Sequence, residues 1–199
     1  DGNYPTGTGN VALGNTALDS LTSGEYNTAI GDVSLTSNTD GVSNTAVGAF
    51  SLEDNIGGDY NTASGALAVR RNTTGNQNTG SGYASLLTNT TGSFNSAFGA
   101  GTLQANTTAD NNTAVGYQAL LDNTTGTINT AVGRQALSNN TTGTNNTTMG
   151  YAMVSNTTGS SNTGLGHNAL HLNTTASYNT AVGYQAAYSN TTGTQNVAV

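Results

Sequence analysis

The sequence lacks cysteine and tryptophan, contains one proline, and carries only three basic residues, Arg70, Arg71 and Arg134. Without cysteine, disulfide bonds cannot stabilise the fold. Three arginines are too few to follow a nucleic-acid backbone, so the sequence predicts no nucleic-acid partner. No apolar run approaches the roughly 18 residues of a membrane-spanning helix. We therefore expect no membrane span, and no secretory signal peptide is recognisable.

Charged residues make up only 7% of the chain, against about 25% in an average soluble domain. A composition this rich in Asn, Thr and Gly is compatible with disorder. A strict internal repeat argues against disorder, because a disordered linker has no reason to keep one spacing from end to end.

An asparagine opens the phrase Asn-Thr-Ala-(apolar)-Gly every 17 residues, except that the step from Asn146 to Asn162 has 16. A fixed period of this length is typical of a solenoid, in which each repeat forms one coil stacked on the next. These asparagines define repeat position 1: Asn10, Asn27, Asn44, Asn61, Asn78, Asn95, Asn112, Asn129, Asn146, Asn162, Asn179 and Asn196.

Two apolar positions in each repeat predict where the core lies. Position 4 is usually apolar, from Leu13 to Val182, and position 9 is apolar from Leu18 to Leu170, while positions 3 and 8 are small. This pattern predicts two short strands per coil, at about positions 2–4 and 7–10, with positions 4 and 9 inside. The predicted fold class is an all-β β-solenoid, a β-helix or β-roll, of about eleven 17-residue coils.

Position 5 is glycine in every complete repeat, which predicts a tight corner after the first strand. Helices do not fit, because each glycine costs a helix about 1 kcal/mol relative to alanine. The corner glycines are Gly14, Gly31, Gly48, Gly65, Gly82, Gly99, Gly116, Gly133, Gly150, Gly166 and Gly183.

Stacked coils place identical side chains above one another at about 4.8 Å. The asparagines of position 1 then form one column and those of position 12 form a second, in which amides can hydrogen-bond along a ladder. Two apolar anchors per coil, worth about 1.5–3 kcal/mol each, are few against the entropy of ordering a whole repeat. We therefore expect association of several chains, or continuation of the array, to stabilise the coil.

Two irregularities interrupt the repeat. Ser64 and Ser81 replace apolar residues at position 4, close to Arg70 and Arg71, which indicates either local drift or a site where the rod bends or changes its packing. In the 16-residue repeat, we expect the missing residue to lie between Val154 and Asn156, where it would shorten a loop without disturbing the core.

No catalytic, metal or cofactor site is predicted. His167 and His171 are four residues apart, but they lie in a predicted coil and lack a His-Glu-x-x-His pattern, so we interpret them as exposed substitutions. The acidic residues are scattered and match no calcium-binding loop. The glycine-rich phrases lack the spacing of a phosphate loop. The sequence therefore does not predict an enzyme.

The phrase Asn-Thr-Thr at position 12 is formally an N-glycosylation sequence. It also has a structural interpretation, an asparagine ladder followed by a turn, and the direction in which position 12 points decides between the two. Asn146 at position 1 matches the same sequence. The candidate glycosylation residues at position 12 are Asn72, Asn89, Asn106, Asn123, Asn140, Asn156, Asn173 and Asn190.

Two stretches, NTAVGYQALLDNTTG at 112–126 and NTAVGYQAAYSNTTG at 179–193, resemble repeats of bacterial and phage tail-fibre-domain proteins. They are also similar to the shorter head repeats of trimeric autotransporter adhesins. The resemblance covers essentially the whole chain. It implies an extracellular, elongated β-structured fibre, often trimeric, that serves attachment and carries no catalytic residues.

The preferred functional prediction is an extracellular fibre or adhesin shaft that forms oligomers or filaments. The chain stops at Val199, four positions into a repeat, so we expect residues 1–199 to be one continuous array that is a window of a longer array or a filament subunit. An alternative is a coil that is coated with glycans or that binds cell-surface glycans or ice. Regular threonine columns suggest ice, although a strand here reads Thr-Ala-Val and not Thr-x-Thr.

Overall fold

The structure is a computed structural model that describes residues 7–199. These residues contain twelve strands and no helix, and the strands pair in chain order into one parallel sheet. This confirms the predicted β-solenoid of about eleven coils. The strands are β1 Val11–Leu13, β2 Thr28–Ile30, β3 Thr45–Val47, β4 Thr62–Ser64, β5 Thr79–Ser81, β6 Ser96–Phe98, β7 Thr113–Val115, β8 Thr130–Val132, β9 Thr147–Met149, β10 Thr163–Leu165, β11 Thr180–Val182 and β12 Val197–Ala198.

Neighbouring strands pair without a shift, so that equal repeat positions lie above one another. Thr113 pairs with Thr130 and Ala114 pairs with Ala131, for example. Eleven coils at the usual strand spacing form a rod of about 50 Å.

Each coil contains one strand, so the prediction of a second strand at positions 7–10 was wrong. Positions 7 and 9 are left-handed, with φ of 55° at Gln118 and 51° at Leu120, whereas strands need strongly negative φ. This arc is nevertheless bonded from coil to coil. The N–H of Leu120 donates to the carbonyl of Ala136 at 3.0 Å, and that of Asp122 donates to the carbonyl of Ser138 at 2.9 Å.

The core consists of positions 3, 8 and 9, so the prediction that position 4 is internal was also wrong. Ala114, Ala119 and Leu120 have no exposed surface, whereas Val115 at position 4 is 37% exposed. Successive side chains of a strand alternate between its faces, so an inward position 3 puts positions 2 and 4 outside.

Position 3 is small because it faces the large side chain of position 9. A Cβ added to Gly80 at position 3 would lie 2.6 Å from the Cγ2 of Val69, in the preceding coil. One added to Gly164 would lie 2.8 Å from the Cγ of Met153. The interior therefore accepts one large and one small side chain across its width.

The glycines of position 5 form the corners, as predicted. Their φ values run from 101° at Gly150 to 144° at Gly14, a region that side chains rarely adopt. Close contact between neighbouring coils is a second reason why position 5 must be glycine. A Cβ on Gly116 would lie 2.6 Å from the carbonyl oxygen of Gly133.

The residue missing from the 16-residue repeat lies between Gly150 and Ala152, not between Val154 and Asn156 as predicted. Leu137 donates to the carbonyl of Ala152, which therefore occupies position 8. The missing residue is the left-handed one at position 7, and Met153 takes its place in the buried column at position 9. The core is undisturbed, as expected.

Substitutions in one coil test this assignment of the core. Leu120→Ala should lower the free energy of unfolding by about 2–5 kcal/mol, because it leaves a cavity in the buried column. Val115→Ser, which introduces the residue found at position 4 in two other coils, should change it by less than about 1 kcal/mol. Urea unfolding followed by circular dichroism in dilute solution measures both, and equal losses would contradict the assignment.

Candidate functional site: the asparagine ladders and the strand face

The asparagines of position 1 join each coil to the next. The backbone N–H of Asn129 donates to the Oδ1 of Asn112 at 2.9 Å, and the Nδ2 of Asn129 donates to the carbonyl of Gly143 at 2.9 Å. The backbone-to-side-chain bond recurs at every step from Asn10 to Asn196, at 2.8–3.1 Å. The same side chain therefore stacks the coils and ties position 1 to position 15 within its own coil.

The asparagines of position 12 form the predicted amide-to-amide ladder. The Nδ2 of Asn106 donates to the Oδ1 of Asn89 at 2.7 Å and to the carbonyl of Ala109 at 3.1 Å. The ladder runs without a break from Asn38 to Asn190.

Both columns meet at the carbonyl of position 15. The carbonyl of Gly58 accepts from the Nδ2 of Asn44 at 2.7 Å and from that of Asn55 at 3.0 Å. A short side chain with both a donor and an acceptor is needed at each position, which explains the choice of asparagine.

The ladder leaves no accessible Nδ2 for a glycan at most of the candidate glycosylation positions. Asn72, Asn89, Asn106, Asn123, Asn140, Asn156 and Asn173 have no exposed surface, and each donates to two acceptors. Asn146 is equally buried, and Asn190 in the last coil makes the same two bonds. The geometry supports the structural interpretation of Asn-Thr-Thr.

An aspartate in the ladder should be strongly destabilising. Asn106→Asp removes both donated bonds and buries a carboxylate beside the Oδ1 of Asn89, so we expect a loss of more than about 3 kcal/mol. Asn139→Asp, at an exposed residue of position 11, is the matched control and should be nearly neutral. Thermal unfolding at neutral pH compares the two, and a tolerated Asn106→Asp would argue against the ladder.

We group the side chains of positions 17, 2, 4 and 6, which belong to the strand or flank it and are mostly exposed or partly exposed, under the name strand face. Position 17 directly precedes the next asparagine, and position 6 directly follows the corner glycine. Of the twenty exposed large hydrophobic residues in the described chain, only Ile56 and Leu172 lie elsewhere. Between residues 7 and 199, the Asp, Glu, Lys and Arg residues on this face are Asp32 and Arg134.

The apolar character of the strand face follows the column at position 4. Leu13 is 61% exposed, Phe98 is 45% exposed and Met149 is 57% exposed, although all belong to strands. Threonines at position 2 accompany them in most coils. The face is therefore a long, nearly uncharged stripe parallel to the rod axis.

His167 and His171 belong to an aromatic column near the C-terminal end of the rod. Both rings lie 5.6 Å from the ring of Tyr151, and they stack on Tyr184 at 5.9 Å and on Tyr188 at 5.3 Å, respectively. His167 is exposed as predicted, but His171 is partly buried, and its Nδ1 has no hydrogen-bond partner.

This environment should make stability depend on pH. Burial, and then the charge of nearby His167, lower the pKa of His171 below its ordinary value of 6.5. The unfolded chain then binds the proton more readily, so stability is greatest above about pH 6.5 and falls as the pH drops below it. The midpoint temperature of unfolding should decrease when the pH is lowered from about 7.5 to about 5. It should decrease less in the His171→Tyr variant. Identical pH dependence in the two proteins would contradict this assignment.

The coils around Ser64 and Ser81 keep the regular register, because these two residues pair directly. Arg70 forms an ion pair with Glu53 at the same position of the preceding coil, and its guanidinium lies over the ring of Phe50. The hydrogen bond with Glu53 raises the pKa of Arg70. These contacts favour local drift of the repeat over a change of packing.

Within the described residues, no group of three or more His, Asp or Glu side chains could hold a metal ion. The described chain likewise has no helix long and apolar enough to cross a membrane. A shallow groove lies along positions 7, 10 and 11 of neighbouring coils, lined by Thr88, Gln104, Ala105, Gln118, Leu121 and Asp122. The hydroxyl of Thr88 in this lining donates to the backbone carbonyls of Gln104 and Asn106 at 2.7 and 3.2 Å.

Comparison with family models, with curated proteins and with solved structures finds no match.

Proposed function

We propose that this chain is the shaft of an extracellular fibre or adhesin, a rod that associates with other copies of itself and serves attachment. The observation that carries the proposal is the strand face. A monomeric protein rarely exposes a large contiguous apolar patch, and such patches usually mark contact surfaces. Here exposed apolar residues recur along the rod from Leu13 to Val182, although Ser64 and Ser81 interrupt the column at position 4.

The ladders support the role of a shaft. Each coil is joined to its neighbours by backbone bonds around its circumference and by two columns of asparagine. The residues that recur most regularly in the sequence are the asparagines that make these bonds. Such a pattern suits a structural role better than a catalytic one.

The extracellular location and the attachment role rest on the resemblance of the repeats to tail-fibre and adhesin-head repeats. Binding of ice receives less support. A regular ice-binding lattice needs two even rows, and position 4 varies from Ser81 to Phe98.

Charges placed on the strand face test the proposal. Val47→Lys with Val115→Lys should convert an oligomer to a monomer, because association would bury lysines without partners. Ile56→Lys, at an exposed apolar residue outside the strand face, is the control and should leave the oligomer intact. Light scattering after size-exclusion chromatography, with negative-stain microscopy, reads out the mass and shape.

A wild-type chain that remains monomeric at high concentration would contradict the proposal. So would an oligomer that is insensitive to the lysines on the strand face. Thermal-hysteresis activity of a short monomer would instead favour the ice-binding alternative.

A further inference from the structure

The groove along positions 7, 10 and 11 lies where the column at position 7 lacks a side chain. The residue there is Gly101, with φ of 66°. Nine other coils carry a side chain at position 7, and all have left-handed φ of 52–62°, so the backbone conformation alone does not require glycine. These residues are Thr16, Val33, Phe50, Leu67, Ala84, Gln118, Gln135, Asn168 and Gln185.

The space beside Gly101 is bordered by residues that line the groove. A Cβ on Gly101 would lie 3.3 Å from the Cγ of Gln118, 3.4 Å from the Oε1 of Gln104 and 3.7 Å from the Cδ1 of Leu121. A longer side chain at this position would therefore enter the groove. The groove has a volume of about 370 Å³, which lies within the range of about 300–1,000 Å³ for sites that bind small molecules.

Three side chains of the groove have polar groups that the chain itself does not use. Among the described residues, neither the amide of Gln104 nor the carboxylate of Asp122 has a hydrogen-bond partner. Gln118 accepts at its Oε1 from the Nε2 of Gln135 at 3.3 Å, which leaves its own Nε2 to donate. The groove therefore offers amide donors, an amide oxygen and a carboxylate to one ligand.

The rest of the lining is hydrocarbon or is already bonded. Ala105 and Leu121 supply apolar surface, and the hydroxyl of Thr88 is taken up by two backbone carbonyls. Backbone N–H groups are also committed, since those of Ala105 and Asp122 donate to carbonyls of the next coil at 3.0 and 2.9 Å. A ligand must therefore be recognised by side chains, because a peptide strand would find no free backbone edge to pair with.

We infer that this groove binds a neutral mono- or disaccharide. Each hydroxyl of a sugar both donates and accepts, which matches glutamine amides placed beside a carboxylate. The C–H groups of the sugar ring match the hydrocarbon of Ala105 and Leu121. Binding of this kind does not need association of chains, because positions 7, 10 and 11 lie outside the strand face.

The charges of the groove argue against two other classes of ligand. A phosphate would meet the carboxylate of Asp122, and Arg71, in the coil before Thr88, is not part of the lining. A calcium ion requires six to eight oxygen ligands, whereas the lining supplies the carboxylate of Asp122 and the amide oxygen of Gln104. A neutral sugar is compatible with both features.

NMR of the full chain locates the binding. Saturation-transfer difference spectra with glucose, galactose, N-acetylglucosamine, maltose, cellobiose and lactose identify the saccharide that binds best. In a titration of labelled protein with that saccharide, the side-chain amide signals of Gln104 and Gln118 should shift. The signals of Gln185, an exposed glutamine at position 7 outside the groove, should not. A groove this shallow should give a dissociation constant of about 1 mM.

Filling the groove tests whether the space beside Gly101 is the site. Gly101→Gln introduces the residue that the next coil carries at position 7, and it should weaken binding by at least about tenfold. Leu67→Gln, at position 7 outside the groove, is the matched control and should leave the dissociation constant unchanged. Circular dichroism shows whether both variants keep the fold.

A second pair of variants tests the polar groups and keeps the inference testable if Gly101→Gln fails to fold. Asp122→Asn keeps the size of the side chain but removes the carboxylate, and it should weaken binding by about fivefold. Asp54→Asn, at the same position 11 outside the groove, should have no effect.

The inference would be overturned if none of the saccharides shifted the amide signals of Gln104 and Gln118 at about 10 mM. It would also be overturned if Gly101→Gln, correctly folded, bound the saccharide as tightly as the wild-type chain does. Inorganic phosphate or calcium chloride that shifted these signals at lower concentration than any saccharide would contradict the assigned class of ligand. None of these results changes the mass of the rod in solution, so the proposed function is tested separately.

Discussion

In the nine coils that begin at Asn27 through Asn162, two asparagine side chains share one backbone carbonyl and hold the coil together. The carbonyl at position 15 accepts from positions 1 and 12 of its own coil, as Gly58 does from Asn44 and Asn55. Both side chains also bond to the neighbouring coils. Because a buried polar group that loses its partner costs about 1–3 kcal/mol, this arrangement tolerates little change. The sequence repeats with the same period as this pair of hydrogen bonds.

The narrow interior sets a second constraint. One leucine from position 9 fills the coil, and only Ala, Gly or an occasional Thr fits opposite it at position 3. A core this thin leaves the larger apolar residues no room inside. They lie on the strand face instead, so the same constraint that shapes the core also creates the surface available for association.

The repeat period predicted the architecture, the corner glycines and the ladders, because each is a property of identical coils in register. It did not predict the single strand per coil, since left-handed φ at Leu120 or Gln118 has no signal in residue type. The direction of position 4 could have been predicted. Thr113 and Val115 flank a small residue, and alternation along a strand puts them on the same side. Val115 is apolar, yet it lies on the outer face together with Thr113.

Hydrogen exchange of the asparagine side chains, measured by NMR, tests the central claim most directly. The Nδ2 hydrogens of positions 1 and 12, such as those of Asn106 and Asn129, should exchange as slowly as the backbone amides of the strands. Those of Asn139, which is exposed and lies outside the strand face, should exchange at the rate of free amides. Equally fast exchange in both groups would contradict a structure held together by buried asparagine ladders.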